Sequence, residues 1–143
     1  MKILIITIIL LTLNSAFAQH HNDHSNHLKE KSKPTHSNVK FKSNADLKKQ
    51  MEKILSLMKE LEEKKNDSKE VSKYGGLISE SVNNIFKTCK LEPDADDAIH
   101  PSLGLILEGA TDFKNGDYKS GHSKIHDGLI GYEKNFIHDG WKH

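Results

Sequence analysis

From Ser43 onward, apolar residues recur at spacings of three and four in four separate runs. The first holds Leu47, Met51, Ile54, Met58 and Leu61; the second holds Val71, Ile78, Val82, Ile85 and Cys89, flanked by Leu77 and Phe86. The third holds Ile99, Leu103, Ile106, Ala110 and Phe113, and the fourth Tyr118, His122, Ile125, Leu129, Tyr132 and Phe136. This is the period of amphipathic helices with one buried face, and no stretch alternates as a strand would. Polar connections separate the runs at Asn66-Asp67-Ser68, Glu92–Ala98 and Lys114-Asn115-Gly116-Asp117. Four helices joined by short turns predict an all-α, up-down-up-down four-helix bundle over residues 44–140.

Local signals place the ends. Ser43 or Asn44 can cap helix one, which should run to about Lys65. Gly75-Gly76 costs about 1 kcal/mol per glycine in a helix, so helix two is expected to begin at Leu77. Proline suits a first helical turn and disfavours helical geometry before it, so helix three is expected to begin at Pro101, just after His100. Helix four should span about Asp117 to Ile137, with Gly140 able to end it. Glycines 104, 109, 121, 128 and 131 either weaken the hairpin of helices three and four or mark close approach of a neighbour.

Upstream of the bundle the pattern changes. Lys2, the apolar run Ile3–Leu13 and the small-x-small site Ala16-Phe17-Ala18 read as a signal peptide over residues 1–18. Eleven residues are too few to span a bilayer, and no cysteine follows the cleavage site, so no stable membrane anchor is expected after cleavage. The expected destination is a periplasm or the outside. Residues 19–43 lack an apolar period and read as a disordered histidine-rich leader, with Val39 and Phe41 able to tack its end onto the bundle.

Charge narrows the function. All 21 basic residues are lysine and oppose 20 acidic ones, which disfavours nucleic-acid binding, where arginine forks and a basic excess are usual. Recognisable hydrolase and nucleotide-binding motifs are lacking, so the chain reads as non-enzymatic. One cysteine cannot close an internal disulfide.

Histidine carries the remaining chemistry. His20, His21, His24, His27 and His36 form a flexible chelator of copper, nickel or zinc. Cleavage after Ala18 would place His21 third, giving copper(II) a square-planar site of terminal amine, two amides and one imidazole. In the bundle, His122 and His126 are four residues apart on one helix face, within reach of one ion. Cys89 and His100 flank the connection between helices two and three and could converge at one end of the bundle as further ligands. The bland alternatives are a core thiol, a pre-proline residue and a core imidazole. The first expectation is thus a binder or buffer of a transition metal, copper or zinc foremost.

Two short segments suggest a second reading. Ala45-Asp46-Leu47-Lys48-Lys49-Gln50-Met51 resembles the first helix of the soluble periplasmic cytochrome b562 family, and Lys134-Asn135-Phe136-Ile137-His138 resembles the end of its fourth. That resemblance implies an exported four-helix bundle carrying electrons on heme b, held by Met51 and His138. His138 lies roughly 200° around a helix from Phe136, so such ligation requires helix four to unwind before it. A third reading is a structural or partner-binding bundle with no ligand.

Overall fold

The computed structural model describes Lys40–His143; the segments expected to be a signal peptide and most of the histidine-rich leader, including His20, His21, His24, His27 and His36, lie outside the described residues. Four helices make the bundle: α1 (Ala45–Glu62), α2 (Ser68–Thr88), α3 (Pro93–Lys114) and α4 (Tyr118–Asn135). Contacts between opposite ends show that neighbours run antiparallel. Tyr74 of α2 meets Glu60 of α1, Ser72 donates to the carbonyl of Lys114, and Gly128 of α4 lies against Ser102 and Ile106 of α3. The all-α, up-down-up-down bundle is therefore the fold.

Three of the four helices, α1, α2 and α4, start where a side chain caps the first turn. The Asn44 side chain accepts from Leu47 N, and Asp67 accepts from Lys69 N and Glu70 N, each satisfying donors that the first helical turn leaves free. Asp117 does the same for Ser120 N after the turn at Gly116, whose φ of 82° suits glycine. Most of the predicted stripe positions form the core, with Leu47, Ile54, Ile78, Leu103, Ile106 and Phe113 among the fully buried side chains, whereas Cys89, Tyr118 and His122 are only half-buried.

Three boundaries differ from expectation. Helix α2 begins at Ser68, not Leu77, and passes through Gly75-Gly76. A Cβ at Gly75 would stand 2.6 Å from Ala110 O, so the missing side chain lets α2 and α3 approach closely, and the packing gained offsets the weak helix propensity. Helix α3 begins at Pro93, not Pro101, which sits inside it. Pro93 takes the first-turn position, and Pro101 is on the exposed side, where water can bond the Asp97 carbonyl that loses its helical N–H partner.

The third difference shapes the site. Helix α4 stops at Asn135, and Phe136–Ile137 becomes a strand, β2, rather than a last helical turn. It pairs in parallel with Phe41–Lys42, the strand β1, in the register Phe41↔Phe136 and Lys42↔Ile137. Ser43 N adds a bond to Ile137 O at 3.2 Å, and the Phe41 and Phe136 rings lie 5.9 Å apart. Lys40–Ser43, expected as the end of a disordered leader, thus join the bundle. The aromatic pair supplies burial that neither two-residue strand has alone.

Candidate functional site

Ending α4 at Asn135 turns His138 inward. Its side chain is only 2% exposed. The ring nitrogens have partners on both sides: Tyr132 Oη lies 2.8 Å from Nδ1 and Glu52 Oε1 lies 3.0 Å from Nε2. Tyr132 also reaches Ser43 Oγ at 2.8 Å, so a chain Ser43–Tyr132–His138–Glu52 crosses from the residue before α1 to the segment after α4. A carboxylate can only accept, so Glu52 selects the tautomer with the proton on Nε2, and Nδ1 then accepts from the Tyr132 hydroxyl. Burial pushes the Tyr132 phenol up to about 12, so it remains a donor at neutral pH.

The segment after His138 folds back over this chain. Gly140, at φ 83°, lets the backbone turn, and Trp141 N bonds His138 O at 3.1 Å. The indole stands edge-on to Tyr132 with centroids 5.0 Å apart, and 5.0 Å from the His138 ring. A cavity of about 230 Å³ opens beside it, lined by Lys40, Tyr132, Glu133, Phe136, Ile137, His138 and Trp141. His138 thus faces inward, with both ring nitrogens hydrogen-bonded, while Met51 lies fully buried in the core and is not among the residues lining the adjoining cavity.

The outer face of α4 carries a second histidine cluster. The rings of His122 and His126 are nearly parallel, 10° apart in plane and 6.3 Å between centroids. Tyr118 precedes them at 5.5 Å from His122, and its hydroxyl bonds Glu62 of α1. Burial, then this carboxylate, holds the Tyr118 phenol well above its ordinary value. At the other end of the row, His143 lies 5.6 Å from His126. Its side chain is 9% exposed, with Nδ1 3.1 Å from Glu133 Oε2.

Cys89 and His100 do come together, at the end of the bundle where α2 passes to α3. With Ile85, Phe86, Leu91, Asp96, Ile99 and Leu103 they line a pocket of about 180 Å³. The thiol is half-buried and donates to Asn44 Oδ1 at 3.4 Å, and burial raises its pKa. His100 is exposed, stacks on Phe86 at 6.0 Å, and has Asp96 Oδ2 3.9 Å from Nε2. His122 and His126 belong to a different cluster, so the four bundle residues expected to share an ion fall into two groups. Among the described residues, no three histidine, cysteine or acidic side chains already converge on a point that would hold a metal.

Sequence reading named His138 only as a heme ligand and missed Ser43, Glu52, Glu133, Trp141 and His143 as neighbours of the two histidine clusters. The one available signal was the aromatic ending Gly140-Trp141-Lys142-His143, because a glycine followed by the sole tryptophan suits a tail that folds back. No family model, curated protein or solved structure matches this chain. The case for function rests on the site itself.

Proposed function

We propose that this protein is an exported, non-enzymatic bundle that binds or buffers a transition metal, copper or zinc foremost. The supporting observation is the parallel pair of imidazoles, His122 and His126, held 6.3 Å apart on one face of α4, the first half-buried and the second exposed. Helical spacing of four residues keeps both rings on one side without any loop having to order, which lowers the entropic cost of capture. The histidine-rich leader supplies a first station, with the amino-terminal copper(II) site at His21 in the cleaved protein. Imidazole suits copper and zinc better than hard cations, which prefer oxygen.

Metal analysis of the exported protein, purified without a histidine-affinity step, tests this reading. Copper or zinc in a fixed ratio to protein is the expected result. Metal-free protein that also fails to take up either ion at micromolar concentration would sink it. The exposed Phe86 over the Cys89–His100 pocket would then favour a partner-binding bundle.

A further inference from the structure

The row of rings on α4 does not end with the helix. The tail brings His143 back to within 5.6 Å of His126, a separation that sequence spacing alone would not suggest for residues seventeen apart. Two imidazoles on one ion at nitrogen–metal bonds of about 2.0–2.1 Å have ring centroids roughly 5 Å apart in a tetrahedral or square arrangement. The His126–His143 pair is closer to that than the His122–His126 pair at 6.3 Å.

Glu133 gives the second line of argument. Two groups compete for Nδ1 of His143: Glu133 Oε2 at 3.1 Å and the indole N–H of Trp141 at 3.2 Å. The carboxylate accepts only a proton carried by Nδ1, whereas the indole needs a lone pair there, so one nitrogen cannot serve both. Without an ion the indole N–H donates to Nδ1; with an ion at Nε2 the proton sits on Nδ1 instead, where Glu133 Oε2, 3.1 Å away, can accept it in a charge-assisted bond. That tautomer leaves the Nε2 lone pair of His143 for the ion. A histidine ligand whose other nitrogen donates to a carboxylate is the usual arrangement around a protein-bound transition metal.

We infer that His126 and His143 together bind a copper(II) or zinc ion on the outer face of α4, with Glu133 as the positioning residue for His143. This rests on the transition-metal reading above and assigns it a place. Two ligands leave positions for water, so the site is open and exchangeable. The tail that carries Trp141 and His143 becomes part of the binding element, and the ion ties it to the middle of α4.

The only tryptophan of the chain is two residues from His143, with ring centroids 6.0 Å apart, so its fluorescence reports on this site. The test is a titration of the full exported chain with copper(II) chloride, read at Trp141, followed by zinc chloride as competitor. Copper(II) is expected to quench saturably, and zinc to restore emission. His126→Ala and His143→Ala should each shift the quenching midpoint upward by about tenfold or more, and Glu133→Ala by about tenfold, in the range for loss of an outer-shell partner. Glu133→Gln should recover part of that loss, since its carbonyl oxygen still accepts from Nδ1, whereas a merely structural role for Glu133 predicts no such rescue. Thermal midpoints of all variants, measured without metal, confirm that the bundle is intact. If the midpoint is unmoved in both His126→Ala and His143→Ala while metal analysis still finds bound ion, this inference falls and the transition-metal reading stands on other residues. If neither quenching nor bound metal is found, both fall.

Discussion

The phenol oxygen of Tyr132 stands 2.8 Å from Nδ1 of His138, across the point where α4 gives way to β2. Six residues further along an unbroken helix, the two side chains would point in different directions; the extended pair Phe136–Ile137 swings the imidazole back over the ring it follows. The same hydroxyl holds Ser43 Oγ at 2.8 Å, so one phenol joins the segment before α1 to the segment after α4.

Tyr132→Phe should therefore destabilise the protein without changing its shape. Ser43 is 4% exposed and His138 is buried, so removing the oxygen leaves both short of a partner away from water. The expected loss is about 1–3 kcal/mol, the cost of stranding buried polar groups, read as a lower urea midpoint with an unchanged slope. Ser43→Ala removes one end of the chain only and should cost less than Tyr132→Phe. Equal stability of Tyr132→Phe and the parent would mean that water replaces the phenol.

This junction also marks where the sequence stops being legible. The stripes Leu47–Leu61 and Ile99–Phe113 are the core because helical period alone sorts buried from exposed positions, and the caps Asn44, Asp67 and Asp117 lie where short polar side chains precede those runs. Gly75 and Pro101 misled because local propensity speaks against a helix at both positions, whereas packing against Ala110 in one case and exposure to water in the other decide the outcome. His138 was legible as a candidate but not as an inward residue, since its direction depends on a strand pairing between Phe41 and Phe136, 95 positions apart. The Glu133–His143–His126 cluster was hidden for the same reason: a tail that folds back has no period to read.

The glycines of the α3–α4 hairpin give a contrast that tests close packing against propensity. A Cβ on Gly109 would lie 2.5 Å from Gly121 O, which is backbone and cannot rotate away. Gly109→Ala should cost at least about 1–3 kcal/mol, as overpacking does. At Gly76 nothing lies within 4 Å of the added atom. Gly76→Ala should instead stabilise by about 0.4–1 kcal/mol, through a less flexible unfolded chain and better helix propensity. Chemical denaturation of the two variants should move the midpoint in opposite directions; movement in the same direction would count against the helix contacts described.

Cys89 should be a slow thiol. Its pKa is raised, chiefly by burial, so less thiolate is present at pH 8 than in an unfolded chain, and the thiolate is the reacting form. Alkylation by iodoacetamide at that pH should be slower in the native protein than in urea, with rates compared by mass spectrometry. Equal rates would show that the end of α2 opens readily or that the thiol is not held as described.

The last prediction concerns pH and the hairpin. Asp112 of α3 accepts from Ser120 Oγ at 2.6 Å and pairs with Lys124 Nζ at 2.8 Å, both on α4. Lys124, then Ser120, holds the Asp112 carboxyl below its ordinary 3.8, and Asp112 in turn holds the Lys124 ammonium above its ordinary 10.5. A depressed carboxyl pKa means that the unfolded chain binds the proton more readily, so the stabilisation is full above the ordinary value and lost as pH falls through the lower folded one. A raised ammonium pKa works in reverse: the stabilisation is full below 10.5 and lost as pH rises through the higher folded value. The pair should thus favour the fold across the neutral range and cease to do so at both extremes. Asp112→Asn keeps an acceptor for Ser120 but removes the charge. The difference in thermal midpoint between parent and Asp112→Asn should be level through neutral pH, shrink below about pH 4, shrink again above about pH 10.5, and diminish with added salt. Because both groups reach solvent, the effect should be small at every pH. A difference that stayed constant down to pH 2 would show that the variant acts through packing rather than through charge.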